Sequence, residues 1–188
     1  TLPIWNVQLA EYGAKLVESR LDFLKTVNLI ADTVHRMIAG KDEGLELNYE
    51  RTYSGTDYQS IKDSLMQKLS ENTEKEYSLG YTLTGLHRDD FSIKSNGVEL
   101  RSFGSQGQQR TAALALKLAE INYFEQKTGE LPVLLLDDVF SELDINRRNA
   151  LLNAISGIQT FITCTEYKES FVGEYKKFIV NEGKISTK

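Results

Sequence analysis

The stretch Pro132-Val133-Leu134-Leu135-Leu136-Asp137-Asp138 decides the fold. Four apolar residues follow one another without alternation, and two acids close the run. Such a run reads as a strand buried on both faces, and strands of that kind belong to parallel sheets covered by helices. Thr160-Phe161-Ile162-Thr163-Cys164 is a second run of the same type. Helical spacing fills Ile145–Ser156 between them, and Gln106–Lys127 upstream reads as one helix closed by Gly129. Helix, strand, helix, strand in this order is an α/β arrangement. Lys177–Val180 and Lys184–Ser186 form a terminal hairpin around Asn181-Glu182-Gly183.

Towards the N-terminus the pattern is mainly helical. The chain has only two prolines, Pro3 and Pro132, so long helices are allowed. Trp5, Leu9, Tyr12, Leu16, Ser19, Phe23, Val27, Ile30, Val34 and Met37 step by four and three, with one stutter between Phe23 and Val27. This is a heptad-like seam, with Gly40 as its stop. A helix of about 36 residues would be ~54 Å long, a length suited to an arm. Its apolar seam has a ready partner in a second helix, Asp57–Asn72, whose Tyr58, Ile61, Leu65 and Leu69 share a face. Leu45–Glu50 alternates like a strand, a helical turn at Glu74–Leu79 ends at Gly80, and residues 81–86 read as extended. Phe91–Ser95 and Val98–Arg101 flank Asn96-Gly97, a strong hairpin signal. The expected division is therefore a mainly helical domain over residues 1–80 and an α/β lobe over 81–188.

Composition sets the bounds. The 188 residues are 40% apolar and 26% charged, a globular balance. Lys plus Arg is 22 against 27 for Asp plus Glu, a net charge of −5. A generally basic nucleic-acid binder is excluded, but the acidic excess sits in residues 41–100, so a local basic patch elsewhere is not. A single cysteine, Cys164, forbids an internal disulfide framework or a cysteine metal cluster. His35 and His87 lack metal-ligand spacing. A reducing cytoplasm fits this usage, and no apolar run approaches the ~18 residues of a membrane span. The sequence opens on Thr1 rather than Met and reads as a piece of a longer protein.

Three runs carry chemistry. The apolar strand ending in Asp137-Asp138 has the Walker B pattern: a buried strand delivers carboxylates to the end of the sheet where nucleotides bind. The first acid suits Mg²⁺, which keeps several waters and takes one or two carboxylates. The second suits an attacking water. Taken alone, the run equally describes a core strand ending at a solvated acidic turn. Ser141-Glu142-Leu143-Asp144 alone is an N-cap signal, Asp144 preceding Ile145. Placed just after the two acids it occupies the D-loop position of ABC-superfamily ATPases, which contacts a partner subunit across a nucleotide. Ser105-Gln106-Gly107-Gln108-Gln109-Arg110 opens the long helix. It reads either as simple capping by Ser105 or as a phosphate cradle at a helix N-terminus. The order signature loop, helix, Walker B strand, with Val133 28 residues after Ser105, is that of an ABC-type head.

The wording of these runs is more specific still. Phe103 to Thr111, then Leu116-Lys117-Leu118-Ala119-Glu120, then Leu134 to Asp144 resemble the RecF family of bacterial recombinational-repair ATPases, relatives of SMC proteins. So does Gly85-Leu86-His87-Arg88-Asp89-Asp90, near that family's Gly-Pro-His-Arg-Asp-Asp block. The clear match covers about residues 81–150, and the region before it resembles the family's arm domain in layout. The resemblance implies the C-terminal lobe of an ABC-type ATPase head, with parallel strands and covering helices, plus a mainly helical arm. It implies a DNA replication, repair and recombination protein using ATP and Mg²⁺. That protein forms a homodimer driven by ATP, and it binds double- and single-stranded DNA at gaps. It helps load recombinase with RecO and RecR, and it works in the cytoplasm without a membrane.

The family roles carry over residue by residue. Ser105 and Gly107 would meet the γ-phosphate of ATP held by the other subunit, with Gln106, Gln108 and Arg110 supporting that loop. Asp137 would serve Mg²⁺ and Asp138 would be the catalytic carboxylate. Ser141 and Asp144 would line the subunit junction. Asp138 stands where most ABC ATPases have Glu; RecF-like proteins also use Asp there, and the shorter side chain implies slow turnover. No His follows the second strand at the ABC switch position, where Thr163 or Thr165 is the substitute. The departure with most consequence is that no G-x-x-x-x-G-K-[ST] loop exists in the 188 residues, so the nest for the α- and β-phosphates is missing. The piece alone is therefore expected neither to bind ATP tightly nor to hydrolyse it. Two readings stand for His87-Arg88-Asp89-Asp90: a polar turn with a local Arg–carboxylate pair, or Arg88 placed near nucleotide or DNA. Competing classes are the ATP-binding subunit of an ABC transporter and a non-catalytic SMC-like head fragment. The long helical region, Asp138 and the missing switch histidine speak against the transporter.

Overall fold

The computed structural model describes residues 2–39, 42–165 and 175–187. They form two compact units, 1–131 and 132–188. Gly40, the expected stop of the first helix, lies outside the described residues.

In the first unit, helix α1 spans Leu2–Ala39. Its buried residues include Asn6, Ala10, Gly13 and Val17, then Val27, Ala31, Val34 and Ile38. Half-buried Arg20 and Leu24 bridge the gap between the two sets. The steps are four and three throughout, an unbroken heptad with no stutter. The expected seam is thus displaced in its first half, where Trp5, Tyr12 and Leu16 are exposed; Met37 is exposed as well. The reason is close approach. Small residues let helix α2, Tyr58–Leu79, come near. A Cβ on Gly13 would stand 2.8 Å from Leu65 Cδ2. Ala and Gly carry little hydrophobic signal, so the larger neighbours dominate a pattern read from sequence. Ala10, Ala14 and Val17 form one core with Tyr53, Ile61, Leu65 and Leu69. Each fully buried Ile or Leu there contributes roughly 1.5–3 kcal/mol.

Strand β1, Leu45–Glu50, is the edge of a sheet ordered β1-β2-β3, with β2 at Asp90–Ser95 and β3 at Val98–Glu99. Pairing is antiparallel, Leu45 opposite Ser95 and Glu50 opposite Asp90. The open edge is capped by α1: Leu45 N donates to Asp32 Oδ1 at 2.8 Å and Leu47 N to Asn28 Oδ1 at 3.0 Å. These bonds satisfy amides that would otherwise invite another strand. Asn96 and Gly97 both have positive φ, 50° and 81°, as the tight hairpin turn requires.

Two local expectations are corrected. Asn72 and Thr73 do not break the second helix; α2 is continuous to Leu79 and ends at Gly80 with φ 75°. Thr73 Oγ1 bonds back to Leu69 O at 3.0 Å, a way for a helix to carry a polar residue. Leu100 and Arg101 leave the hairpin for helix α3, Leu100–Phe103, because Glu99 caps the amides of Arg101 and Ser102. Residues 81–86 form no strand: Tyr81, Thr84 and Gly85 are bends and Leu86 begins a turn. Helix α4 follows, Gln106–Thr128, ending at Gly129. α1 packs along α4 as well as α2, with Phe23 and Tyr123 edge to face at 4.8 Å.

The second unit holds β4, Leu134–Leu136, a 3-10 turn at Val139–Glu142, α5 at Ile145–Ala154, β5 at Thr160–Ile162, and a hairpin of β6, Phe178–Asn181, and β7, Lys184–Thr187. β4 and β5 are parallel, Leu135 beside Phe161. Burial on both faces is not observed: Leu135 is 72% and Phe161 53% exposed. Double burial needs cover on both sides. The buried apolar residues in this unit are Leu136, Phe140, Leu143, Leu151 and Ile155.

Candidate nucleotide site

The signature run is a loop and the first turn of α4. Ser105 caps the helix with extended backbone. Its Oγ accepts from Gln108 N at 3.3 Å, and Gln108 Oε1 accepts from Ser105 N at 3.0 Å, a reciprocal capping box. Ser105 O accepts from Gln109 N. The amides of Gln106 and Gly107 are the two first-turn donors left over, since helix geometry gives them no partner within the helix. Ser105, Gln106 and Arg110 are exposed, and Gly107 and Gln108 half-buried. The capping reading of Ser105 is observed, and the amides of Gln106 and Gly107 stand beside that cap.

Gln109 is a support that the sequence reading left without a role. Its Nε2 donates to Leu100 O at 2.8 Å and to Arg101 O and Gly104 O at 3.3 Å. It thereby takes up the carbonyls at the end of α3 and holds the loop in front of Ser105. A Cβ on Gly104 would lie 2.6 Å from Leu100 O, so only glycine fits this turn. Thr111, fully buried, bonds to Gly107 O at 2.7 Å.

In the second unit, β4 carries Asp137 and Asp138 at its carboxyl end, both exposed. Asp138 has left-handed backbone, φ 45°, and begins the 3-10 turn. Its amide donates to Thr163 O at 3.1 Å and Thr163 Oγ1 at 3.0 Å. Thr163 Oγ1 donates to Asp137 Oδ1. Ser141 closes the turn, with its Oγ and N both donating to Asp138 O, at 2.8 and 3.2 Å. Asp144 caps α5 by accepting from Arg147 N at 3.0 Å. The Arg147 amide, and then its charge, hold the Asp144 carboxyl below the usual range. Asp137, Asp138 and Ser141 are thus brought together around one turn, while Ser105, Gln106, Gly107, Gln108 and Arg110 share the start of α4 in the other unit.

No family model matches the chain. The DNA replication and repair protein RecF of Clostridium kluyveri is 43% identical over 188 residues, 98% of this chain and 51% of that protein. The protein of the same name from Halothermothrix orenii is 42% identical over 193 residues, covering 98% and 52%. The solved structure of the recombination mediator protein RecF-ATPrS in the RecFOR pathway matches with a TM-score of 0.82 and 35% identity, over 99% of this chain and 50% of that one. A second, RecF-ATP, matches with 0.83 and 34%. The chain belongs to the RecF family. It spans about half the length of the curated RecF proteins it matches. Its fold is that of the matching part of the RecF ATPase, mixed helix and sheet with a parallel pair of strands.

Set in the RecF family, His87-Arg88-Asp89-Asp90 takes definite places. Asp89 Oδ2 accepts from Tyr49 OH at 2.6 Å and from Tyr53 OH. Arg20 Nη1 reaches Tyr49 OH at 3.0 Å. Burial first, and Asp89 second, push both tyrosine hydroxyls up. Asp90 pairs with Arg101 at 3.2 Å on the surface, and Arg88 lies over the Tyr81 ring at 5.5 Å. The two carboxylates thus find partners outside the run, Asp90 in Arg101 and Asp89 in Tyr49 and Tyr53. His35 is a buried core residue, its Nδ1 3.0 Å from Glu43 O.

Mg²⁺ fits the carboxylates by chemistry. Asp137 and Asp138 offer exposed hard oxygen donors at a strand end. No group of three or more acidic, His or Cys ligands exists among the described residues. Mg²⁺ takes one or two protein carboxylates and keeps several waters. No helix among the described residues is long and apolar enough to cross a membrane.

Proposed function

We propose that the whole protein is a DNA-dependent ATPase of recombinational repair, and that this chain supplies its signature loop, carboxylate pair and arm. The observation that carries the reading is the turn at the end of β4. A parallel strand presents Asp137 and Asp138 side by side, one tied to Thr163 through its carboxylate and the other through its amide. The names of the relatives and the likeness to the solved RecF-ATPrS and RecF-ATP structures support it.

In this reading Asp137 holds Mg²⁺, which when bound neutralises charge on the β- and γ-phosphates. Asp138 positions the water that attacks the γ-phosphorus in line, and accepts its proton. Ser105 and the Gly107 amide receive the γ-phosphate of a nucleotide bound to the other subunit. Gln106, Gln108 and Arg110 shape that loop, and Ser141 and Asp144 lie at the subunit junction. ATP then joins two subunits, and hydrolysis releases them. The phosphate-binding Walker A loop, absent from these 188 residues, comes from the remainder of a protein of the relatives' length. Residues 1–80 act as the arm and 81–188 as part of the head. DNA is held mainly through its phosphates near a gap, with little sequence preference, and RecO and RecR are the loading partners in the cytoplasm.

The test is dimerisation. Light scattering of the whole protein should show ATP-dependent dimers. A Ser105→Arg variant, which fills the cradle with a bulky cation, should stay monomeric at the same ATP concentration while binding ATP normally. Dimers that form equally well in the variant would remove the signature loop from the interface.

A further inference from the structure

We propose that Thr163 is a positioning residue, one hydroxyl that sets both carboxylate residues of the site. The inference rests on the reading of Asp137 as the Mg²⁺ carboxylate.

The geometry is local to the second unit. β5 runs parallel to β4, and Thr163 N donates to Leu136 O at 2.9 Å, one step beyond the last paired residues. This extends the ladder and brings the Thr163 side chain to the chain segment Asp137–Asp138. Its Oγ1 then does two things. It donates its proton to Asp137 Oδ1, and it accepts the Asp138 amide at 3.0 Å. A hydroxyl has one proton and two lone pairs, so both bonds are available at once. The bond to the carboxylate is charge-assisted, which makes it the stronger of the pair.

Each bond answers a need of the turn. Asp138 is one of three non-glycine residues with positive φ among the described residues. Left-handed backbone costs a side-chain-bearing residue about 1–2 kcal/mol. Four contacts hold it there: its amide donates to Thr163 O and Oγ1, and its carbonyl accepts from Ser141 N and Oγ. The second need is orientation. With Oδ1 of Asp137 occupied by Thr163, the carboxylate plane is fixed and Oδ2 is the oxygen left to face a cation. Partners outside the ligand shell usually act in this way, orienting a ligand they do not replace. Thr165, the other substitute at the switch position, makes none of these bonds.

Serine keeps the hydroxyl and valine keeps the shape, so the two variants separate hydrogen bonding from packing. The experiment uses the whole protein with Thr163→Val, Thr163→Ser and Asp137→Asn. ATP affinity is measured calorimetrically with Mg²⁺ and with a chelator. Hydrogen exchange is followed in the peptide spanning Asp138. Thr163→Val should lose ~10-fold or more of the Mg²⁺-dependent gain in affinity, the usual scale for an outer-shell partner. Its affinity in chelator should be unchanged, and exchange at Asp138 should accelerate. Thr163→Ser should restore both. If Thr163→Val does not fold, Thr163→Ala reads the same losses. Should Thr163→Val and Thr163→Ala keep the full Mg²⁺ gain while Asp137→Asn loses it, the positioning role is overturned and the metal reading stands. Retention of the gain in Asp137→Asn would overturn the metal reading and this inference with it.

Discussion

Asp89 shows what a single residue in a polar run can hide. Its carboxylate is shared by Tyr49 and Tyr53, both on the chain some forty residues upstream. No periodicity in the sequence points to such a pairing, so His87-Arg88-Asp89-Asp90 stood open between a local turn and a ligand contact. The tertiary fold alone gives Asp89 its place. A consequence is readable at alkaline pH. Burial, and then Asp89, raise the Tyr53 hydroxyl above its ordinary value. A group whose folded pKa is raised lends stability that is full below its unfolded value and is lost above it. The unfolded tyrosine loses its proton near pH ~10. Urea midpoints of the wild-type chain should therefore fall more steeply above about pH 10 than those of Tyr53→Phe. Parallel pH profiles would show that Tyr53 titrates alike folded and unfolded. The residues that the sequence proposes for the site, Ser105, Asp137, Asp138, Ser141 and Asp144, all sit at or next to element ends. Gln109 was hidden because it serves carbonyls of α3, an element that the sequence reading folded into a strand.

At the scale of elements, α1 is the instructive case. Its existence was plain from its length and the absence of any proline after Pro3, and its buried face was not. Ala10, Gly13 and Ala14 form the contact, and their importance lies in what they lack. The energetic weight sits across the interface, on Leu65, which is fully buried against them. Leu65→Ala should cost about 2–5 kcal/mol, because the rigid helix backbone cannot close the cavity. Tyr12→Ser, at an exposed position of the expected seam, should change stability by about 0.5 kcal/mol or less. Chemical denaturation of both variants checks the pair, and equal losses would return Tyr12 to the core face. The caps Ser105 and Asp144, by contrast, were legible, because each acts within three residues of itself.

On the scale of the whole molecule, the α/β order was readable because apolar runs and acids alternate in a fixed sequence. The cover of the β4–β5 pair was not, since one face of it is exposed in this chain. The nucleotide chemistry is divided in the same way. Signature and carboxylates are present, and the loop for the α- and β-phosphates is absent from the 188 residues. Calorimetry on this chain alone should accordingly show no ATP binding at micromolar concentration; a micromolar Kd would mean that a phosphate nest exists here in another form. The central claim is that these carboxylates belong to an ATPase governed by DNA. Steady-state hydrolysis by the whole protein, with and without gapped duplex, tests it most directly, with Asp138→Asn alongside. Slow turnover that gapped DNA raises and Asp138→Asn abolishes is the predicted result. Turnover indifferent to DNA, or undiminished in Asp138→Asn, would contradict it.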